Sequence, residues 1–395
     1  MSTLASTPGL MRVLVASVIA RLPVAMLGIG LLVHAEHLTG SFAAAGAVTA
    51  AYAIATGAGG PLLGRVVDRR GQTAVMVAGG LMSGALLAVI ALLPLGTPLA
   101  TMAALAAGVG LATPPVGACM RALLPGAVAE PETLRVAYAV DATVVELTWV
   151  FGPPIVLGAG ALTSTGFAIG AAAVVLLAGT ASFACQPASR RWRPVPGTTR
   201  PRGGSLTAPG VRTLVVVLVA VGVVLGAAEV GVAAAAEALA STAAASPLLA
   251  VWGVGSLLGG VLATRLGGGA DSAGGLALVL AALAAGHVAL AGAAGSLVAM
   301  AVTLLAAGAA IAPVYASVYA MVERIAPEGT ITEAFAWLTT AAAIGTATGS
   351  AGAGALVEVA SPMAAFVLAG GAGAVAVLAA TLRGASLAPV AVAAA

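Results

Sequence analysis

Charged side chains are scarce in this chain: only 7% of its 395 residues are Asp, Glu, Lys or Arg, while 61% are hydrophobic. Soluble globular domains carry about 25% charged residues, so the composition excludes that class. Aromatic residues are also few, at 4%, but the mean hydropathy of +1.13 excludes a disordered polar chain. The composition is therefore that of an integral membrane protein.

Lysine is absent, so all sixteen basic residues are arginines. This excludes chemistry that needs a lysine, including the P-loop of nucleotide hydrolases and Schiff-base catalysis. The two cysteines, Cys119 and Cys185, are too few for a disulfide framework. The motifs H-E-x-x-H of zinc proteases and G-x-S-x-G of serine hydrolases are also missing. We therefore expect no enzymatic activity, no cofactor and no metal.

Apolar stretches separated by turn signals run along the whole chain, and we number them span one to span twelve. One bilayer crossing needs about 20 apolar residues, which each stretch provides. The alternation typical of β-barrel strands is missing, so the expected fold is an all-α membrane bundle. The spans lie near 12–33, 42–63, 73–94, 99–120, 136–160 and 166–185, and then near 212–236, 246–264, 272–294, 297–320, 331–357 and 361–382.

The arginines predict the orientation of the bundle. If the N-terminus lies inside, every arginine except Arg21 falls in a cytoplasmic segment, and the external loops contain none. This distribution follows the positive-inside rule. Both termini are therefore predicted to be cytoplasmic, and the protein to lie in the inner (cytoplasmic) membrane as a multi-pass monomer.

Residues 186–211 differ from the rest because they are rich in Pro, Gly, Thr and Arg. We interpret them as a basic linker between an N-terminal six-span bundle, 1–185, and a C-terminal one, 212–395. Their arginines could contact anionic lipid headgroups or RNA, but a loop that sets orientation at the membrane surface is the simpler interpretation. We expect membrane lipid and no nucleic acid as a partner.

The two halves carry a weak internal repeat. The segment 115–118, Pro-Val-Gly-Ala, recurs at 313–316 as Pro-Val-Tyr-Ala, and 137–139, Ala-Tyr-Ala, recurs at 334–336 as Ala-Phe-Ala. These matches occur in the same order in both halves. Two parallel six-helix repeats are typical of transporters that rock around a central site.

The turn after span two reads G-R-V-V-D-R-R-G-Q over residues 64–72. It resembles the signature G-x-x-x-D-[RK]-x-G-[RK] between helices two and three of the major facilitator superfamily, except that Gln72 replaces the usual basic residue. The resemblance implies that Gly64, Asp68, Arg69 and Gly71 form a cytoplasmic gate. Asp68 would favour the N-terminus of span eleven, because a carboxylate stabilises that helix end by roughly 0.3–1 kcal/mol.

The corresponding turn in the second half keeps Gly259, Gly260 and Arg265 but has no acid before Asp271. We interpret it as a decayed copy, so the two gates are expected to be unequal.

Four charged residues lie well inside predicted spans, away from the span ends: Arg21, Asp141, Glu146 and Glu229. A charge in the bilayer is costly, so each is a candidate for substrate or proton coupling. The resemblance implies that spans one, four, seven and ten line a central cavity. An ion pair of Arg21 with Asp141 or Glu146 is the alternative, and Glu146 and Glu229 are the preferred proton carriers.

Tyr315 and Tyr319 lie four residues apart on span ten, so they share one helix face. They either line the cavity or pack in the core. On span five, Gly152-Pro153 resembles part of a motif of proton-coupled drug exporters in the superfamily, and we expect a helix irregularity there. Those exporters often carry an arginine in span four, and the predicted stretch 99–120 has none.

The resemblance implies a secondary active transporter nearest the twelve-helix drug:proton antiporters. We expect it to export small, mostly apolar organic compounds by proton antiport, because charge-poor helices suit an apolar cargo. An importer or metabolite carrier of the same fold is one alternative, and a non-transporting membrane receptor is another.

Overall fold

The computed structural model describes residues 9–194, 200–239 and 241–388, and within these ranges the chain is helical with no strand. Both chain ends, whose cytoplasmic placement the arginines predict, lie outside the described residues, as do residues 195–199 of the linker. Ten spans are single helices in the described part of the chain: Leu10–Thr39, Phe42–Arg70, Gln72–Ala91, Pro131–Leu162, Thr165–Ala184, Pro209–Ala238, Ala245–Arg265, Ala273–Ala293, Ile331–Val359 and Pro362–Leu382.

Spans four and ten differ from the others because each consists of two helices. Span four is formed by Leu99–Ala112 and Val116–Ala127, and span ten by Leu297–Gly308 and Ile311–Ile325. In span four the break contains Pro114 and Pro115, which lack the N–H group that a continuous helix would need. The linker also contains a short helix, Pro187–Arg191, and a 3-10 turn, Gly204–Thr207.

The boundary of span four corrects the sequence prediction. The predicted span ended at residue 120 and left Arg121 in a loop, but the helix continues to Ala127 and Arg121 is only 3% exposed. The charge looked like the start of a loop, whereas the structure pairs it with Asp141 inside the bundle. Span four therefore does contain an arginine.

Span five contains Gly152 and Pro153, where the sequence predicts a helix irregularity, within a single helix. The helix runs without interruption from Pro131 to Leu162, although Pro153 and Pro154 lie inside it. Membrane helices tolerate proline where neighbouring groups satisfy the freed carbonyls. Gly152 instead marks a close approach to span one, because a Cβ atom there would lie 2.7 Å from the Cβ atom of Ala25.

Span eleven has no continuous apolar stretch as strong as those of the other spans. With each interrupted span counted as one, eleven spans in the described residues are long and apolar enough to cross a membrane, and Ile331–Val359 is not among them. Hydroxyl groups lower its hydropathy, but Thr346 and Thr348 donate to carbonyls of their own helix, at 3.1 and 2.9 Å. Hydropathy alone therefore misses this span, although its 29 residues are long enough to cross.

The helices pack in the same pairs in the two halves. Span one packs against spans five and six as span seven packs against spans eleven and twelve. The pairs three–six and two–four recur as nine–twelve and eight–ten. Each half is thus one bundle of six spans, and exchanging the halves also relates the two main contacts between bundles, two–eleven and five–eight.

The bundles meet at one end, which we call the arginine-rich side because Arg65, Arg135, Arg265 and Arg324 lie at the span ends there. Span two approaches span eleven through its glycines, and the Thr340 hydroxyl donates to the Gly57 carbonyl at 2.7 Å. In the same way, Gly260 of span eight lies against Thr143 of span five. The structure is therefore closed on the arginine-rich side.

Candidate functional site

The breaks in spans four and ten lie close to each other in the register of the internal repeat. The first covers residues 113–115 and the second residues 309–310, which match residues 111 and 112 when Pro115 is aligned with Pro313. Irregular backbone at membrane depth is tolerated only where protein buries it or where it lines a cavity. Interruptions at matching positions of two halves mark the binding region in transporters of repeat architecture.

A buried charge cluster lies beside the break in span four. The Asp141 carboxylate accepts a hydrogen bond from Arg21 Nη2 at 2.5 Å and another from Arg121 Nε at 2.8 Å. The exposed fractions of the three side chains are 0% for Asp141, 8% for Arg21 and 4% for Arg121. Asp141 lies ten residues beyond the start of span five, which places the cluster about 15 Å from the arginine-rich end of that helix.

Arg21 and Asp141 form the ion pair that the sequence offered as the alternative to a coupling role. Arg121 also binds Asp141, and the sequence analysis did not predict this partner. Removing one partner of a buried ion pair leaves an uncompensated charge, which costs about 3–5 kcal/mol. A signal for Arg121 was present in the repeat, because its match in the second half is Tyr319, which lay inside predicted span ten.

Residues at equivalent positions of the two halves touch each other near the cluster. The Arg121 guanidinium carbon lies 3.8 Å from the centroid of the Tyr319 ring. The rings of Tyr138 and Phe335, also matched by the repeat, have centroids 5.9 Å apart. Tyr315 packs on Tyr319 at the same centroid separation, 5.9 Å. The predicted tyrosine pair therefore contributes to an aromatic contact that joins the two bundles.

Glu146 lies in the seam between spans five and eight rather than in the charge cluster. It is half-buried, and its carboxylate lies beside the buried Ser256 hydroxyl of span eight. Thr143 and Val150, one turn to either side, face Gly260 and Gly253 in the same antiparallel contact. Glu146 forms no ion pair with any described residue.

Glu229 is not brought together with the other predicted charges. It lies in span seven, its side chain is exposed, and it forms no ion pair or hydrogen bond with a described residue. Within the described part of the chain, no group of three or more His, Cys, Asp or Glu residues is placed to hold a metal ion.

At the arginine-rich side, Asp68 binds the start of span eleven. Its carboxylate accepts hydrogen bonds from the backbone N–H groups of Thr332 at 3.1 Å and Glu333 at 2.9 Å. These are first-turn donors that the helix itself leaves unsatisfied. The helices come this close because Gly64 has no side chain: a Cβ atom there would lie 3.0 Å from the Glu333 Cα atom.

Arg65 completes this contact and was not among the predicted gate residues. Its Nη2 and Nε atoms donate to the two oxygens of Glu333 at 2.8 and 3.2 Å. Arg69, which was predicted, is exposed and forms no hydrogen bond with a described residue. We refer to Gly64, Arg65 and Asp68 with Thr332 and Glu333 as the first latch.

The turn after the first latch shows why glutamine replaces a basic residue. Gly71 has a φ of 92°, which glycine adopts without strain. Gln72 then turns inward with 0% exposure, and its amide donates to the Cys119 carbonyl at 2.9 Å. An uncharged amide suits this buried position, because an ion there would be expensive to desolvate.

A second contact joins the bundles on the other flank of the arginine-rich side. Arg135 of span five forms an ion pair with Asp271, which follows span eight. Arg324 of span ten donates to the Asp271 carbonyl, and the neighbouring Ala270 N–H donates to the Ser317 hydroxyl at 2.8 Å. We refer to Arg135, Asp271 and Arg324 as the second latch.

No protein-family model matches the sequence, and no curated protein matches it either. Solved structures do resemble the fold. A bacterial homologue of the iron transporter ferroportin, in an outward-facing state, superimposes with a TM-score of 0.75 at 16% identity, over 94% of this chain and 98% of its own. The human organic anion transporter MFSD10 (TETRAN) gives the same values.

The proton:xylose symporter XylE bound to 6-bromo-6-deoxy-D-glucose is similar as well, with a TM-score of 0.72 at 15% identity over 95% of each chain. These proteins are transporters and not enzymes. At such identities the likeness concerns the architecture. This chain therefore has the all-α membrane fold of the major facilitator transporters, with two six-helix bundles.

Proposed function

We propose that this protein is a secondary active transporter that exports small, mostly apolar organic compounds by proton antiport. The observation that carries the proposal is the buried cluster of Arg21, Asp141 and Arg121 beside two interrupted spans. Charges at that depth are retained where they serve a substrate or ion pathway. The apolar helices around them suit a cargo that is itself mostly apolar.

Alternating access requires that the bundles separate on one side at a time. In this structure the arginine-rich side is held by the first latch, and the positive-inside rule assigns that side to the cytoplasm. Asp68 acts as the gate residue in the proposal, because its two hydrogen bonds exist only while spans two and eleven are together. The form described would then be open, or ready to open, outwards.

Glu146 is the proposed proton carrier. It has no ion-pair partner among the described residues and lies in the seam that changes when the bundles rock. A carboxylate in such a place is neutral when protonated and needs water or a cation when it is not. Proton loss and opening of the seam would therefore be coupled.

The fold alone leaves direction and cargo open, because the similar structures include an iron transporter homologue, an organic anion transporter and a sugar symporter. Export is favoured by the partial exporter motif at Gly152-Pro153. Import is the second candidate, because a proton:xylose symporter is among the similar structures.

The first experiment measures accumulation of a panel of dyes, antibiotics and metabolites in efflux-deficient cells that express the protein, with and without a protonophore. Export predicts lower accumulation that the protonophore reverses. Higher accumulation would establish import instead. No effect on any compound, from protein shown to be in the membrane, would favour the receptor alternative and contradict transport of this panel.

Glu146→Gln is expected to abolish proton-coupled flux, because the amide cannot exchange a proton. The measurement is pH-driven flux in liposomes, with membrane insertion checked by yield and melting temperature. Glu237→Gln is the matched control, since Glu237 is exposed at the C-terminal end of span seven. Unchanged pH-driven flux in Glu146→Gln would remove Glu146 as the carrier.

A further inference from the structure

The charge cluster carries one more positive charge than negative charge, and part of it lacks hydrogen-bond partners. Asp141 uses both oxygens on its two arginines. Arg21 keeps Nε and Nη1 buried with no partner among the described residues, although its side chain is only 8% exposed. Buried polar groups are almost always paired, and an unpaired donor on a cation is especially costly. These two donors therefore point to a missing acceptor.

The space for such an acceptor lies at Gly117. A Cβ atom on this residue would lie 3.7 Å from Arg21 Nε and 3.7 Å from Arg121 Nη1. The residue that matches Gly117 in the second half is Tyr315, whose ring packs against Tyr319. Where one half of the repeat has an aromatic side chain, the other half leaves room beside two guanidinium groups.

The backbone adds further donors at the same place. The second helix of span four begins at Val116, and the N–H groups of Gly117 and Ala118 in its first turn have no backbone acceptor among the described residues. Unsatisfied N–H groups and the helix dipole together favour a negative charge at a helix N-terminus. Arg21 Nε, which is buried without a partner and lies 3.7 Å from the Cβ position of the same glycine, provides an independent reason to place an anion there.

Other acids do not neutralise this charge. Glu146 forms no ion pair with either arginine, and it lies beside Ser256 in the seam with span eight. Asp68 is occupied by the backbone of span eleven. The excess positive charge of the cluster is thus left for a ligand.

We propose that the space beside Gly117 binds the anionic group of the substrate, so that the cargo is an apolar compound with one carboxylate or sulfonate. Arg21 Nε and Nη1 and the first-turn N–H groups would be the donors, and Arg121 would add its charge. The proposal rests on the transport function proposed above, because the ligand is a substrate only if the protein is a transporter. Binding of an anion can nevertheless be tested without transport.

The test compares three probes that share one ring and differ in charge: naphthalene-1-sulfonate, 1-naphthalenemethanol and 1-naphthylmethylammonium. Binding to the purified full-length protein in nanodiscs is measured by titration calorimetry, with inorganic phosphate as a fourth probe. A charge-assisted hydrogen bond predicts at least about tenfold tighter binding of the sulfonate than of the alcohol or the cation. Equal affinities for the three aromatic probes would overturn the proposal. Phosphate binding as tight as the sulfonate would overturn the need for an apolar body.

Gly117→Ala fills the space while keeping every charge. Its new methyl group would meet its neighbours at ordinary contact distance, so the fold is expected to survive. Sulfonate affinity should fall about tenfold in this variant, with alcohol binding unchanged. Gly126→Ala in the same helix is the control, because nothing lies within 4 Å of its Cβ position. Wild-type sulfonate affinity in Gly117→Ala would contradict the site.

Arg21→Gln provides a second variant, since Asp141 keeps Arg121 as its partner. It should lose the preference for the sulfonate over the alcohol, and retention of that preference would exclude Arg21 as a donor. The outcomes also separate this proposal from transport. Sulfonate binding without flux would sink the transport function alone, whereas flux of neutral or cationic compounds without sulfonate binding would sink the anion site alone.

Discussion

The two latches join the same pair of bundles on the same side, but they differ in burial. In the first latch Asp68 and Glu333 are each 2% exposed, and the carboxylate of Asp68 binds backbone N–H groups. In the second latch the side chains of Arg135 and Asp271 are 29% and 48% exposed. One contact is built into a helix terminus, and the other is a solvated ion pair.

This difference indicates which contact holds the arginine-rich side closed. A solvated ion pair contributes about 0–1 kcal/mol, because water and salt screen it. Breaking the first latch would leave the buried Glu333 carboxylate without Arg65, and helix N–H groups without an acceptor. Both flanks of the arginine-rich side therefore carry a contact between the bundles, but the first latch contributes most of the stability of the closed form.

The linker strengthens the asymmetry. Arg200 donates from Nε to the Gly329 carbonyl at 3.0 Å, just before span eleven. Gly204, with a φ of 67°, lies so close to Arg65 and Glu333 that a Cβ atom would collide with their side chains. Residues 200–204 of the linker thus pack over the first latch, where they shield that contact from water.

Gly64→Val is expected to have the largest effect on this comparison. A side chain would meet the Thr332 carbonyl and the Glu333 backbone at about 3 Å, and backbone cannot move aside as a side chain can. Overpacking of this kind costs about 1–3 kcal/mol, to which loss of the Asp68 hydrogen bonds adds. We expect the closed form to become the minor one.

Pulsed EPR distances between spin labels at Arg69→Cys and Glu328→Cys, both exposed positions, would report the separation, with Cys185 replaced because it is exposed. Gly57→Ala is the control on the same helix, since its Cβ atom would lie an ordinary 3.6 Å from Thr340. A closed-state distance retained in Gly64→Val would show that the close approach is not required.

The variants Asp68→Asn and Asp271→Asn are expected to differ in closed-state stability, and Asp68→Asn should have the next largest effect. The amide removes the charge at the start of span eleven and places a donor against backbone donors, which should cost about 1–3 kcal/mol of closed-state stability. Asp271→Asn should cost less than about 1 kcal/mol, because its pair with Arg135 is solvated. The same EPR distances measure both, and equal shifts would contradict the asymmetry.

The spans and the Asp68 position could be read from the sequence because they depend on local composition and on a short motif. The partners of Arg65 could not. Glu333 is 268 residues away along the chain, and only tertiary packing brings it within 2.8 Å of Arg65. A motif therefore locates a turn, but it leaves open which of its arginines forms the contact.

Arg121 illustrates a different loss of information. A charge next to a proline-containing segment is normally the end of a span, and burial of Arg121 depends on Asp141 from another helix. Composition treats each residue alone, whereas the cost of a buried charge depends on its partner. The repeat carried the missing signal, since Arg121 and Tyr319 match in sequence and touch in space.

A change of ionic strength is expected to have the smallest effect on the closed population, but it distinguishes most clearly between the two latches. The Debye length falls from about 10 Å at 0.1 M salt to about 3 Å at 1 M, which screens exposed charges and leaves buried ones nearly unchanged. In wild-type protein, where the first latch dominates, the EPR distance distribution should change little. The free-energy difference between the closed and open populations should shift by less than about 0.5 kcal/mol. In Asp68→Asn, closure relies on Arg135 and Asp271, so the same change of salt should open the arginine-rich side further. Equal salt sensitivity in both proteins would show that the first latch is as solvated as the second.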